Sequence, residues 1–212
     1  MRKSTAVATG TVLAASGAMT AYPLLLRRWC LTWGTQSGEA SRKLPGDELL
    51  PEPGLVSTRA IQVDAPPSAI WPWLVQMGPG RGGAYTYDWI ENLFGLGMHS
   101  ADEILPQYQD LKLGDAQHLG RRGPVLRVAV LEPERALAFR SDDGNWVWAF
   151  SLVSEGSGTR LISRNRIAAR GGPLPARLVN LLVMEPGSLI MERKMLLGIK
   201  QRAEHLARHP GP

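Results

Sequence analysis

The chain contains one cysteine, Cys30. A lone thiol closes no internal disulfide and builds no multi-thiolate metal site. His99, His118, His205 and His209 show no metal-ligand spacing, so the sequence points to no metal and to no other cofactor. There is no Gly-x-Ser-x-Gly elbow and no local context that would activate Cys30, which leaves nucleophilic hydrolysis unsupported. Basic residues are dispersed over Arg27, Arg42, Arg81, Arg121, Arg140, Arg164 and Arg202, and the formal net charge is only +5. Nucleic-acid binding needs a concentrated basic stripe and is not expected. With 44% apolar and 20% charged residues, neither wholesale disorder nor a fibrous repeat is indicated.

What remains is a chain of 212 residues, long enough for one ordinary domain and an extension. Residues 4–26 (STAVATGTVLAASGAMTAYPLLL) carry no charge and are bracketed by Arg2, Lys3, Arg27 and Arg28. As a helix this run would be about 35 Å long, against roughly 30 Å of bilayer hydrocarbon. Its Ser, Thr, Gly and Ala content makes insertion only modestly favourable. Three readings stand for residues 1–33: an uncleaved membrane anchor, a signal peptide cut near Ser16-Gly17-Ala18, or a surface helix. For an anchor, the excess of Arg27, Arg28, Arg42 and Lys43 over Arg2 and Lys3 places the main domain in the cytoplasm; a cleaved signal would mean export. Residues 34–55 are rich in Gly, Pro, Ser and charge and read as a linker, so the domain is expected over residues 56–208.

Within it, residues 57–63 read as a strand and residues 68–77 as a helix opened by Ala65-Pro66-Pro67. A second short helix is expected over residues 87–96. Five further strands follow, over residues 115–119, 124–131, 135–141, 145–153 and 159–168, with turn signals between them that favour hairpins. A helix over residues 176–184, a break at Pro186-Gly187 and a last helix over residues 188–207 complete an α+β order.

If the turn at residues 155–158 pairs Ser154 with Thr159, alternation places Trp146, Trp148, Phe150 and Leu152 on one face with Leu161, Ser163, Asn165 and Ile167. The other face, with Arg160, Arg164 and Arg166, reads as solvated. Each aromatic ring buries about 150–250 Å², so the Trp-Trp-Phe face needs a cover of helix or ligand. On the last helix, Leu189, Met195, Leu196, Ile199, Ala203, Leu206 and Ala207 fall on one arc, and Glu192 lies in its middle. A carboxylate there is either salt-bridged or directed into a ligand cavity, which makes it the first catalytic candidate, ahead of His99, Asp102 or a tyrosine as general acid or base.

The stretch MGPGRGGAYTYDWIENLFGLG at residues 77–97 is not a phosphate loop, because no Lys-Ser/Thr follows its glycines and a helix precedes them. Arg81-Gly82-Gly83 occurs once, unlike a repeating nucleic-acid arm. Tyr85, Tyr87 and Trp89 are then either a pocket rim or packing for the small helices. His99 and Asp102 fit best in a loop capping a helix expected near Ala101.

The runs TRAIQVDAPPSAIWPWLVQMG, GGAYTYDWIENLFGL, Leu113-Gly114-Asp115, the Trp146 hairpin with TRLISRNR, and MERKMLLGIKQRAE resemble the SRPBCC (START-like) superfamily, in particular its bacterial polyketide cyclase/dehydrase-like members. The resemblance covers roughly residues 44–207. It implies a helix-grip fold, in which a curved antiparallel sheet wraps a long C-terminal helix and leaves a deep hydrophobic cavity. Two short helices follow the first strand. Such proteins include lipid carriers, polyketide cyclases and co-chaperone-like proteins, so the fold does not settle activity. The expected lining is Trp73, Trp146, Trp148, Phe150 and Met195, with Asn165 and Glu192 for polarity and Tyr85, Tyr87 and Trp89 at the rim. The expected partner is a hydrophobic small molecule or lipid. A cyclase or dehydratase using the same cavity, and a membrane-tethered interaction domain without ligand, are the alternatives.

Overall fold

The computed structural model describes residues 22–120, 123–169 and 171–209. Most of the apolar run at residues 4–26 therefore lies outside the described residues. Its last five form a π-turn, Tyr22–Leu26, that leads into helix α1, Arg27–Leu31.

Six strands form one antiparallel sheet in the order β1-β6-β5-β4-β3-β2. They are β1 (Leu55–Val63), β2 (Ala116–His118), β3 (Val125–Glu132), β4 (Ala136–Ser141), β5 (Trp146–Glu155) and β6 (Gly158–Ile167). A bulge between Val128 and Val130 shifts the β3–β4 register, which bends and twists that edge. Between β1 and β2 come the two expected short helices, α2 (Pro67–Val75) and α3 (Asp88–Leu93). Helices α4 (Leu174–Val179) and α5 (Glu185–Arg208) end the fold. This is the α+β helix-grip arrangement that the sequence resemblance implies.

The β5–β6 hairpin has the register that alternation predicts: Ser154 opposes Thr159, Leu152 opposes Leu161, Phe150 opposes Ser163 and Trp148 opposes Asn165. Gly156, at φ +59°, supplies the left-handed residue of its turn. On the inner side, Phe150, Leu161, Leu196 and Ile199 are fully buried with Trp73 and Tyr85 in one apolar core.

Three sequence expectations give way. First, Pro186 does not break the last helix. Residues 180–184 widen into a π-turn just before it, so helix runs on from Leu174 to Arg208. A π-turn accommodates the missing N–H and the ring that would clash with the carbonyl four residues back. Second, no helix begins at Ala101. Residues 101–105 are irregular, and the next helical turn is Pro106–Tyr108. Third, the arginine face of the sheet is not solvated, and residues 34–55 are not a free linker. They lie across that face. Glu39 takes Arg160, Asp47 takes Arg164 and Arg166, and the carbonyls of Glu39, Ala40 and Arg42 accept further N–H donors from Arg164. Arg160 and Arg164 are buried as a result. The Gly46 backbone sits where a Cβ would be 3.0 Å from that of Ala138, too close for most side chains. Guanidinium groups that fork onto carboxylates and carbonyls can be buried where a run of Gly, Pro and Ser alone could not cover the sheet.

Helix α5 runs beside β1. Arg59 reaches Glu192 and Ser188, the Gln62 carbonyl accepts from Lys200 Nζ at 2.8 Å, and the Asp64 N–H donates to Glu204 at 2.9 Å. From Arg59 back to Leu55 the strand extends about 13 Å, whereas from Ser188 back to Leu174 the helix extends about 20 Å. The start of the long helix overhangs the sheet.

Candidate functional site

At the overhung end, Trp146 and Trp148 point from β5 toward the helix side. Their rings stack with centroids 6.0 Å apart and planes 16° apart, and Phe150 and Phe139 continue the aromatic surface from Trp148 at 5.0 and 6.4 Å. Both tryptophans are only half-buried, unlike Phe139 and Phe150. The apolar body of each indole is therefore partly open while its N–H is held. Trp146 Nε1 donates to Asn165 Oδ1 at 2.8 Å, and Trp148 Nε1 donates to Ser163 Oγ at 3.1 Å. Each partner stands on the same face of β6, one diagonal step of two residues from the position directly opposite its indole.

Both partners lead to one carboxylate. Ser163 Oγ donates to Glu192 Oε1 at 2.5 Å, and Asn165 Nδ2 approaches the same oxygen at 3.3 Å. Glu192 Oε2 accepts from the guanidinium of Arg59, which is fully buried. Arg59 in turn donates to Ser188 Oγ at 2.9 Å and to the Cys30 carbonyl at 3.1 Å. Burial pushes the Glu192 carboxyl above its ordinary value, while Arg59 and the Ser163 hydroxyl pull against that rise. The carboxylate is thus a buried salt bridge whose two oxygens are both engaged. It holds the indole partners in place, and both of its oxygens already accept hydrogen bonds. Arg59 was not singled out from sequence. Its signal was a charge in a strand otherwise read as apolar alternation, the mirror of Glu192 on its helix.

The other sequence candidates separate. Trp73, Phe150 and Met195 belong to the closed core. Tyr85 is also buried: its hydroxyl donates to the Trp73 carbonyl at 2.9 Å, and the two rings meet edge to face at 5.8 Å. Tyr85 adopts φ +57° and abuts Gly198 of α5, where a Cβ would fall 2.5 Å from its carbonyl oxygen. Burial raises its phenol above the ordinary value. Tyr87 is half-buried with Lys194 over its ring at 5.9 Å, and Trp89 is exposed. The glycine loop itself is tightly folded. Gly78 and Gly83 pair, and Gln76 at its base binds the Glu103 carbonyl and the Leu105 N–H at 3.0 and 2.9 Å. A Cβ on Gly83 would strike the His99 carbonyl at 2.6 Å, so close approach explains that glycine better than mobility.

His99 is exposed, and Asp102 is exposed and paired with Arg202. Asp88 rather than these residues organises the loop, accepting from the Ser100 N–H at 2.8 Å and its hydroxyl at 2.6 Å. Glu91 of α3 was missed. Burial, with the charge of Asp88, pushes its carboxyl up to about 7, and its Oε2 has no hydrogen-bond partner among the described residues. Among those residues, no group of three or more His, Cys, Asp and Glu is placed to hold a metal ion. Two clefts, of about 330 and 530 Å³, lie on the outer face where residues 36–51 cross the sheet; the larger is lined by Asp47, Arg164 and Arg166.

No family model matches the chain, and no curated protein does. Solved structures with a similar fold include the Zhui aromatase/cyclase of a Streptomyces species, at 14% identity over 74% of this chain and 98% of that one, with a TM-score of 0.45. The KanY protein aligns at 13% identity over 71% and 97%, TM-score 0.47. The Aha1 dimer of Colwellia psychrerythraea aligns at 14% identity over 71% and 96%, TM-score 0.38. At such identities the likeness is one of fold.

Proposed function

We propose that this protein binds a hydrophobic small molecule or lipid at the overhung end of the helix grip, against the stacked faces of Trp146 and Trp148. The observation that carries this reading is the half-buried indole pair with both N–H groups satisfied. A surface that is apolar, rigid and polar only at its far edge takes up a flat or chain-like hydrocarbon at small entropic cost. The network Asn165, Ser163, Glu192 and Arg59 acts as a positioning frame for that surface. The site is shallower than the deep cavity implied by the sequence resemblance, because Trp73, Tyr85, Phe150 and Met195 are spent on packing. A cyclase-type activity has less support, since the oxygens of Glu192 are already engaged.

Titration of the full chain with a fluorescent long-chain fatty acid tests the reading. Saturable uptake is expected, with energy transfer from tryptophan to the probe that falls by most of its amplitude in Trp148→Ala. Uptake unchanged in both Trp146→Ala and Trp148→Ala would overturn the assignment of the site. Absence of any uptake, together with no lipid recovered on organic extraction, would favour an interaction domain without ligand.

A further inference from the structure

Helix between Leu174 and Met184 has no fully buried residue. Val179 (52% exposed), Val183 (59%) and Ile190 (56%) recur at spacings of four and seven, a single stripe open to solvent. Single exposed apolar residues are ordinary, whereas a stripe with apolar neighbours is not. Here the segment of residues 86–94, which includes α3, flanks the helix, tied to it by the contact of Thr86 Oγ1 with Met191 Sδ at 3.7 Å, and it exposes Trp89 and Phe94 by 67% and 77%.

The chain itself says what covers this flank. The uncharged run of residues 4–26, long enough for a bilayer, ends beside the same helix: the Tyr22 hydroxyl donates to Glu185 at 3.1 Å, and Arg27 forks onto both Glu185 oxygens at 2.8 and 3.0 Å. The one acidic residue of helix 174–191 is thereby buried and neutralised, while Arg28 and Arg177 stay exposed, so the accessible charge is positive. An apolar stripe bordered by uncompensated arginines suits an anionic lipid surface.

We infer that the overhanging helix lies in the plane of an anionic bilayer, with Val179, Val183 and Ile190 at the acyl boundary and Arg28 and Arg177 at the phosphates. It lies on the membrane and does not cross it. Although the whole helix Leu174–Arg208 is long and apolar enough to span, Leu189, Met195, Leu196, Ile199 and Ala203 are locked in the core. The free part before Glu185 is about 16 Å long, half a bilayer's hydrocarbon. This inference stands apart from the ligand site and does not need it to be occupied.

The test uses the full chain on vesicles of phosphatidylcholine with phosphatidylglycerol. A nitrobenzoxadiazole label is placed at Val183→Cys or, as control, at Glu155→Cys in the turn at the opposite end of the sheet. Brominated acyl chains are expected to quench most of the emission at 183 and little of it at 155. Val183→Glu combined with Ile190→Glu, both at exposed positions, is expected to relieve most of the bromolipid quenching of Trp89 without changing the melting temperature. Vesicle-bound protein whose label at 183 remains as wet as that at 155 would show a tether alone and overturn the inference. So would failure to bind vesicles at all, or a label at 183 already protected before lipid is added, which would mean that another part of this chain or a second copy covers the stripe.

Discussion

Arg59 and Glu192 form an ion pair in which the guanidinium has no exposure to solvent and the carboxylate almost none, joining the edge strand of the sheet to the helix it grips. The attraction offsets a large desolvation cost, so its value depends on both members being present.

Arg59→Met leaves Glu192 buried without its counter-charge and is expected to cost about 3–5 kcal/mol in urea denaturation. The double change Arg59→Met with Glu192→Met removes both charges at similar volume and is expected to recover most of that loss. A double variant as unstable as the single would show that the pair is not the cause.

Glu192→Gln keeps the shape of the frame while removing its charge. Trp146 and Trp148 should retain their partners, so uptake of a fluorescent fatty acid is expected to change less than threefold, about 0.6 kcal/mol. Asn165→Leu, which leaves the Trp146 N–H without an acceptor, is expected to weaken uptake about tenfold. Equal effects of the two changes would show that the charge of Glu192 matters to the site as much as the direct hydrogen bond that Asn165 accepts from an indole.

Glu91 should make stability depend on pH. Its folded-state value of about 7 lies above the ordinary 4.5, so between these limits the folded state binds more protons than the unfolded one. Stability therefore falls as pH rises through that window. Glu91→Gln is expected to remove about 1–2 kcal/mol of that dependence, after allowance for solvent screening, with the gain appearing at pH 8 rather than at pH 4. Melting curves across pH 4–8 that keep the same slope in the variant would count against it.

Gly198→Ala puts a methyl group against the Tyr85 carbonyl, where no flexible side chain can yield. A loss of about 1–3 kcal/mol is expected. A nearby change such as Lys194→Ala, at an exposed position over the Tyr87 ring, should stay within about 1 kcal/mol by thermal melting.

How much of this could be read in advance follows the range of the forces involved. The β5–β6 register was legible because a period of two and one turn determine every pair from Trp146 to Thr159. Glu192 was legible as a charge among apolar neighbours, yet its partner was not, since Arg59 lies 133 residues away. Composition misled at residues 34–55, where Gly, Pro and Ser suggested a free linker and the deciding contacts are forks from Arg160 and Arg164 across more than 110 residues. At Pro186 the usual helix break was absorbed by a π-turn, which leaves no mark in hydrophobic periodicity. The rim candidates Tyr85, Tyr87 and Trp89 alternate in sequence but sit on a turn and a short helix, so one is buried, one half-buried and one exposed.

The strip from Trp33 to Pro51 does more than shield arginines. The Ala60 N–H, on the open side of β1, donates to the Trp33 carbonyl at 3.1 Å, and the Gly34 backbone presses on the same residue. The stretch upstream of the first strand is therefore bolted to both the rim and the back of the sheet. From Tyr22 to the first strand the chain is thus a bracket rather than a leash, fixed to the long helix through Glu185 and to the sheet through Ala60, Arg160 and Arg164.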